Sequence, residues 1–382
     1  SPTPLPPFDE TIHMTRLESL ASTPLKLLAL AIAFSTTGAH AATLVEKDGS
    51  YAQVPLEKDK VVVKVVQNLT RNLQDFPSID EGLAHNLEQM TNLTKRACSE
   101  GKKPDFILFN EFPLTGYSDG PRVEKLKSTI TIPGPETDAL GKLAKACDTY
   151  IIFGSYARDD VDWPGHILSL NAVIGRDGKV AEKFWKTRNI KNYGDIEIPT
   201  TTIENVYDKY VARYGEEELF PVLRTEFGNI AVSTVQNDPM VFAAYAMRGV
   251  EIMFRTATLF NKLDVQAIAG FNNFYSAMSN ITFPTDSPYA KGGGGSLIVD
   301  PRGQVLAEDP SNDEAIIEAE IDMAALRKGR NKARHIPHYP MAVVRPVFDQ
   351  YVEEFPRNHV DVAIDQLPDS GAEMKVLMDK QS

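Results

Sequence analysis

Three corners of the sequence place polar groups at the end of an apolar run. In PDFILFNEFPLTGY, Glu111 follows a run suited to a buried strand, and in KVAEKFWKTRN, Lys186 lies between Trp185 and Arg188. In IAVSTVQNDPMVFAAYAMRG, positions 230–249, an apolar run meets Gln236, Asn237 and Asp238, and Pro239 then opens an amphipathic run. Ligands of open α/β sheets gather at such strand ends. A carboxylate and an ammonium brought beside a nucleophile make an acyl-transfer site. The carboxylate takes the nucleophile's proton and returns it to a leaving amine, while the ammonium stabilises the oxyanion. A strand-end ion pair without chemistry is the other reading of Glu111 and Lys186. The third corner has the strand–turn–helix form in which many hydrolases hold a nucleophile. It contains no cysteine, and its hydroxyls, Ser233 and Thr234, lie back inside the apolar run.

The elements that must carry these corners follow from periodicity. VVVKVVQNL, from Val61, is β-branched and predicts a strand buried on both faces. A helix follows through NLEQMTNLTKRACSEGKK, then the strand DFILF, the helix PETDALGKLAKACDT and the strand YIIFGSYARD. SLNAVIGRDGKVAEKFWK predicts a hairpin around RDGK. Positions 189–218 are long, polar and aromatic, and predict a loop or lid. Beyond them come two strands around EFGN, the helix PMVFAAYAMRG, the strand VEIMFRTA, a helix-then-strand unit in LDVQAIAGFNNFYSAMSN, and a hairpin around DPRG. Strands alternating with helices imply one mixed α/β domain, Val45–Pro356, with residues 1–44 as an N-terminal arm and 357–382 as a C-terminal tail. The stretch RHIPHYPMAVVRPVFDQYVEEFP reads as irregular and Pro-rich. Its apolar content predicts packing across a subunit interface.

Composition narrows the classes. The net charge of −12 argues against a nucleic-acid binder, because phosphate binding needs clustered Lys and Arg. Cys98 and Cys147, each near the end of a helical pattern, read as small inert thiols. A disulfide between them is left open, and neither has a neighbouring partner for metal chemistry. Met14–Ala41 combines a mildly basic lead-in, the apolar run LLALAIAF and a small-residue junction, so it reads equally as an export signal or as a packed N-terminal helix. The first implies a periplasmic or secreted protein, the second a cytoplasmic one. That run is far shorter than the ~20 residues of a membrane span, so no integral span is expected. Gly292–Gly295 lacks the GK[ST] of a phosphate loop and reads as a turn. His335 and His338 read as surface histidines, and the pattern N-x-[ST] at Asn68, Asn92 and Asn280 as chance.

Five segments in order resemble the nitrilase superfamily of carbon–nitrogen hydrolases. PDFILFNEFPLTGY is similar to its glutamate motif, EKFWKTRN to its lysine motif, and LFPVLRTEFGNIAV to the strand pair before its nucleophile. AMRGVEIMFRTAT and GGGGSLIVDPRGQVLAE are similar to the segments that complete its core. The resemblance implies an α-β-β-α sandwich, a single domain that pairs into a four-layer homodimer or larger assembly. It also implies a Glu-Lys-Cys mechanism on an amide or nitrile without metal or cofactor, with Glu111 as base, Lys186 as oxyanion partner, and Glu217 or Glu218 as an assisting glutamate.

The sequence departs from this pattern at the nucleophile. Alignment forward from GNIAV puts the cysteine position on Val235 and a following aspartate on Asn237. Alignment backward from AMRG puts it on Ser233, so the corner is shortened as well as substituted. Valine has no nucleophilic atom, and a serine hydroxyl needs a base within reach. Strand alternation puts Ser233 and Val235 on one face and Thr234 on the other. Tyr117, Trp185, Gln236 and Asn237 flank the corners as the expected substrate pocket. The expected function is a carbon–nitrogen hydrolase-like one, altered or lost in its standard form, with Ser233, Thr234 or a water activated by Glu111 in place of the thiol. The alternative is a non-catalytic ligand-binding or assembly scaffold.

Overall fold

The computed structural model describes residues 44–46, 48–117, 121–189, 200–287, 289–290, 292–330, 341–354, 372–373 and 376. The N-terminal arm with its export-like segment, the histidines at 335 and 338, positions 190–199 of the expected lid, and nearly all of the C-terminal tail lie outside the described residues.

Consecutive β-branched residues crowd a helix but suit a pleated strand. The valine run accordingly forms β1 (Lys60–Gln67), buried from Val61 onward. Then come α1 (Ile79–Ser99), β2 (Phe106–Leu108), α2 (Arg122–Lys127), β3 (Ile130–Thr131), α3 (Pro135–Cys147), β4 (Tyr150–Asp159), β5 (Trp163–Ile174) and β6 (Val180–Trp185). The second half runs through α4 (Tyr207–Tyr214), β7 (Leu223–Thr225), β8 (Gly228–Ser233), α5 (Pro239–Met247), β9 (Ile252–Ala257), α6 (Lys262–Asn272) and β10 (Tyr275–Asn280). It closes with β11 (Ser296–Val299), β12 (Val305–Asp309), β13 (Ala315–Asp322), α7 (Met323–Arg330) and α8 (Met341–Glu354).

One sheet has the order β13-β1-β2-β4-β5-β6, with β3 on β4, and the other the order β12-β11-β10-β9-β8-β7. β1, β2 and β4 are parallel, as are β8, β9 and β10, because helices carry each crossover. β13 leaves the second half to pair antiparallel with β1, Lys60 opposite Asp322. The two sheets meet through Val63, Phe106 and Ile152 on one side and Val232 and Phe254 on the other. The rings of Phe106 and Phe254 lie 5.2 Å apart. α1 and α3 cover the outer face of the first sheet with Met90, Leu93, Leu140 and Ala144. α5 and α6 cover the second sheet through Phe242, Tyr245, Val265 and Ile268. The result is an α-β-β-α sandwich.

Two sequence-based expectations are corrected. Cys98 and Cys147 are not free thiols: they form a disulfide with a Cα–Cα distance of 6.0 Å. The reason is topological. Parallel crossovers make α1 and α3 run the same way along the sheet, which brings the ends of the two helices side by side. The stretch after position 340 is not irregular either; α8 is a helix with Pro346 inside it. Of the expected lid, the described part contains α4 rather than open loop. Among the described residues no helix is long and apolar enough to cross a membrane.

Candidate active site

Glu111 stands where β2 runs out. The strand's hydrogen bonding continues past Leu108, with Phe109 N donating to Ile152 O at 2.8 Å and Gly154 N to Asn110 O at 3.0 Å. Asn110 fixes the corner: its Nδ2 donates to Asn68 Oδ1 at 2.9 Å, and its Oδ1 accepts from Phe112 N at 2.9 Å. The backbone of Glu111 lies directly over Gly154, where an added Cβ would come within 2.5 Å of Glu111 O. Gly154 therefore leaves room for the chain to pass over β4.

Lys186 stands where β6 runs out, its N–H donating to Ser169 O at 2.9 Å. Alternation sends Phe184 between the sheets and Trp185 into the outer layer. The next side chain, Lys186, returns inward. Its Nζ lies 3.2 Å from Glu111 Oε1, with both side chains almost wholly buried. Trp185 packs on Trp163 and Tyr210, with ring centroids 5.1 and 5.2 Å away, on the opposite side of the sheet.

The third corner is built by β8 and α5. β8 pairs with β9 so that Val232 lies beside Phe254 and Ser233 beside Arg255. Phe254 meets the first sheet, whereas Arg255 turns to α5 and α6, over the rings of Phe242 and Phe260. Ser233 therefore faces the helix layer. Its Oγ accepts a hydrogen bond from Val235 N at 3.3 Å.

Two ion pairs hold the turn. Arg255, fully buried, donates to Val235 O and meets Asp264 Oδ2 at 2.7 Å. Burial lowers its pKa from the ordinary arginine value, and Asp264 opposes that shift. Arg188 donates from Nη2 to Gln236 O at 3.2 Å and from Nε to Asp238 Oδ2 at 2.7 Å. Asn237, exposed, adopts φ 54°, a left-handed conformation that Asn tolerates, and donates to Asp264 Oδ1 at 3.1 Å. Asp238 caps α5 by accepting from Val241 N, and Pro239 follows at the first helical position.

Thus Glu111 and Lys186 are in contact, and Arg188 joins the exit of β6 to the turn that holds Gln236. Val235 is buried at that turn, Gln236 half-buried and Asn237 exposed. Tyr117 lies beyond the Glu111 corner in an aromatic group with Phe112, Phe283 and Tyr289, at centroid distances of 6.0, 6.4 and 5.3 Å. Glu217 and Glu218 lie in a short helical turn before β7, Glu217 exposed. Burial, then the neighbouring Glu217, raises the Glu218 carboxyl above its ordinary value. Sequence reasoning missed Arg255 and Asp264. The signal was an arginine inside the apolar run VEIMFRTA, a position where a charge must find a partner.

The corners together offer a carboxylate, an ammonium and a rigid strand–helix turn, the parts of an acyl-transfer site. The chain is similar to several known proteins. A bifunctional nitrilase/nitrile hydratase of Lupinus angustifolius is 25% identical over 319 residues, covering 72% of this chain and 83% of its own. An omega-amidase of Homo sapiens is 26% identical over 212 residues, covering 53% of this chain and 71% of its own. Among solved structures, an amidase from Nesterenkonia sp. superposes with a TM-score of 0.54 at 15% identity, over 78% of this chain and 100% of the amidase, a likeness of fold. The carbon–nitrogen hydrolase model matches residues 75–331, well over half of the 382, and the chain belongs to that family.

Proposed function

We propose that this chain is a carbon–nitrogen hydrolase of altered chemistry, which holds a small amide or nitrile against Glu111 and Lys186 and attacks it with oxygen rather than sulfur. The observation that carries the reading is the buried Glu111–Lys186 pair at 3.2 Å. Two charges taken out of water are expensive, and an apolar replacement is often neutral or stabilising. Packing alone gives little reason to keep them beneath a turn tied to the same strand exit by Arg188. What supports oxygen over sulfur is that the chain has two cysteines, Cys98 and Cys147, and both are joined in the disulfide. The amide or nitrile class comes from the lupin and human relatives, whose names carry nitrilase, nitrile hydratase and omega-amidase activities.

A panel of small amides and nitriles tests this. Glu111→Gln is expected to lower turnover by about 10²–10⁴-fold, the usual contribution of a general base; equal rates would remove Glu111 from the chemistry. The non-catalytic scaffold is favoured by one observation, the buried Val235 at a family cysteine position. It predicts that no member of the panel is turned over. The disulfide supports an oxidising compartment, and with it the reading of Met14–Ala41 as an export signal.

A further inference from the structure

We infer that Thr234 supplies the attacking oxygen, an assignment that rests on the hydrolase reading above. Ser233 is turned away: it shares the helix-facing side of the second sheet with Arg255, and its Oγ accepts from the turn's own backbone. The next side chain in the alternation, Thr234, belongs to the face that meets the first sheet, the side on which Val232 and Phe254 lie. β6 lies across from β8. Arg188, two residues beyond Lys186, donates to the carbonyl of Gln236, two residues beyond Thr234. Lys186 and Thr234 thus occupy equivalent steps on two strand exits that are tied together, and Glu111 contacts Lys186.

The hydroxyl itself is the second observation. Thr234 is 2% exposed, and its Oγ1 has no hydrogen-bond partner among the described residues. A buried hydroxyl without a partner destabilises the fold. The neighbouring strand shows the contrast: Thr256 Oγ1 donates to Asn171 Oδ1 at 2.6 Å across the sheets. That unpaired hydroxyl, on the face that meets the first sheet, lies outside hydrogen-bond distance of Glu111 and Lys186 in the free chain, so Glu111 comes within its reach only as the substrate draws the two strand exits together.

The chemistry balances. Glu111 takes the Oγ1 proton as Oγ1 bonds to the amide carbon, and the carbonyl pair moves onto oxygen beside the Lys186 ammonium. Collapse of that oxyanion breaks the C–N bond, and Glu111 returns its proton to the departing nitrogen. An ester on Thr234 and free ammonia remain. Water then adds to the ester with Glu111 again as base, and collapse gives the carboxylic acid and re-protonated Thr234.

The test uses the full chain with propionamide and with 4-nitrophenyl propionate, quenched in acid and read by intact and peptide mass. Wild type is expected to carry a propionyl group on the peptide that contains Thr234. Thr234→Val keeps the shape and removes the hydroxyl. It is expected to lose the adduct and about 10³-fold or more of amide turnover, while its melting temperature holds or rises because an unpaired buried group is gone. Thr234→Ser is expected to retain adduct and turnover. Unchanged turnover in Thr234→Val, or an adduct mapped elsewhere, overturns the assignment. If Glu111→Gln is then still inactive, the hydrolase reading survives with water as the attacking oxygen. If wild type turns over no amide or nitrile, that reading falls and Thr234 with it.

Discussion

A side chain can act only where its neighbours leave it one place to be, and Glu111 is placed by residues that do no chemistry. Asn110 locks the turn before it, and Gly154 gives its backbone a path. A methyl at Gly154 would meet Glu111 O at 2.5 Å and Glu111 Cα at 2.8 Å, backbone atoms that cannot swing aside. Gly154→Ala is therefore expected to displace the carboxylate and reduce turnover by about 10²-fold, the usual result of misplacing a reacting group by ~1 Å. Overpacking should also cost about 1–3 kcal/mol of stability. Steady-state rates beside a thermal melt check this, and a variant with the wild-type rate would show that the contact does not position Glu111. Glu111 and Lys186 were legible in the sequence because each follows an apolar run that ends abruptly. The facing of Ser233 was not. Alternation told that Ser233 and Thr234 point opposite ways, but which way is inward depends on Phe254 meeting Phe106 and on Arg255 meeting Asp264, contacts made by residues far from β8. Trp185, expected in the pocket because it adjoins Lys186 in sequence, packs instead on Trp163 and Tyr210 on the other side of the sheet.

Elements are held together here by a few links that periodicity does not announce. The strands β1, β4 and β8, the helices α1 and α3 and the hairpins β5–β6 and β11–β12 were all visible as apolar periods with turn residues between them. The bond between α1 and α3 was not, because 49 residues separate Cys98 from Cys147 and only the parallel crossovers make their ends meet. α8 was hidden by its proline: Pro346 argues against a helix locally, yet the element spans 14 residues. The disulfide closes a long loop of the unfolded chain, and such a closure is worth about 2–4 kcal/mol. Cys98→Ser and Cys147→Ser are each expected to lower stability by that amount, the double variant by no more than either single one, since all three lose the same bond. Denaturant melts of the oxidised protein compare them. The disulfide joins the ends of α1 and α3, away from the candidate site at the exits of β2, β6 and β8, so turnover below the melting range should hold. A double variant as stable as wild type would mean that the bond does not constrain the unfolded chain.

At the scale of the molecule, the family sandwich buries its two sheet faces and their helix layers, and among the described residues an apolar face on α8 stands outside that scheme. On α8, Val343, Val347, Phe348, Tyr351 and Val352 are exposed, at a spacing that gathers them along one side of the helix. A 14-residue helix is marginal by itself and is held chiefly by what its apolar face packs against. An exposed apolar stripe of this kind marks an interaction surface. We propose that a second copy of the chain covers it. A two-fold contact sets the same patch against itself, and the charges beside the stripe suit that arrangement: Arg345 and Asp349 pair at 3.2 Å within one helix, and an antiparallel partner would set each opposite its counterpart in the other copy. Truncation before Ala342, and separately Val347→Asp, are expected to halve the mass measured by light scattering, and to make the melting temperature of wild type, but not of the variants, rise with protein concentration. Val347→Asp leaves the chain length unchanged, so a loss of mass in both variants assigns the contact to this face rather than to the removed residues. A monomeric wild type, or an unchanged mass in both variants, would overturn the proposal that a second copy covers α8.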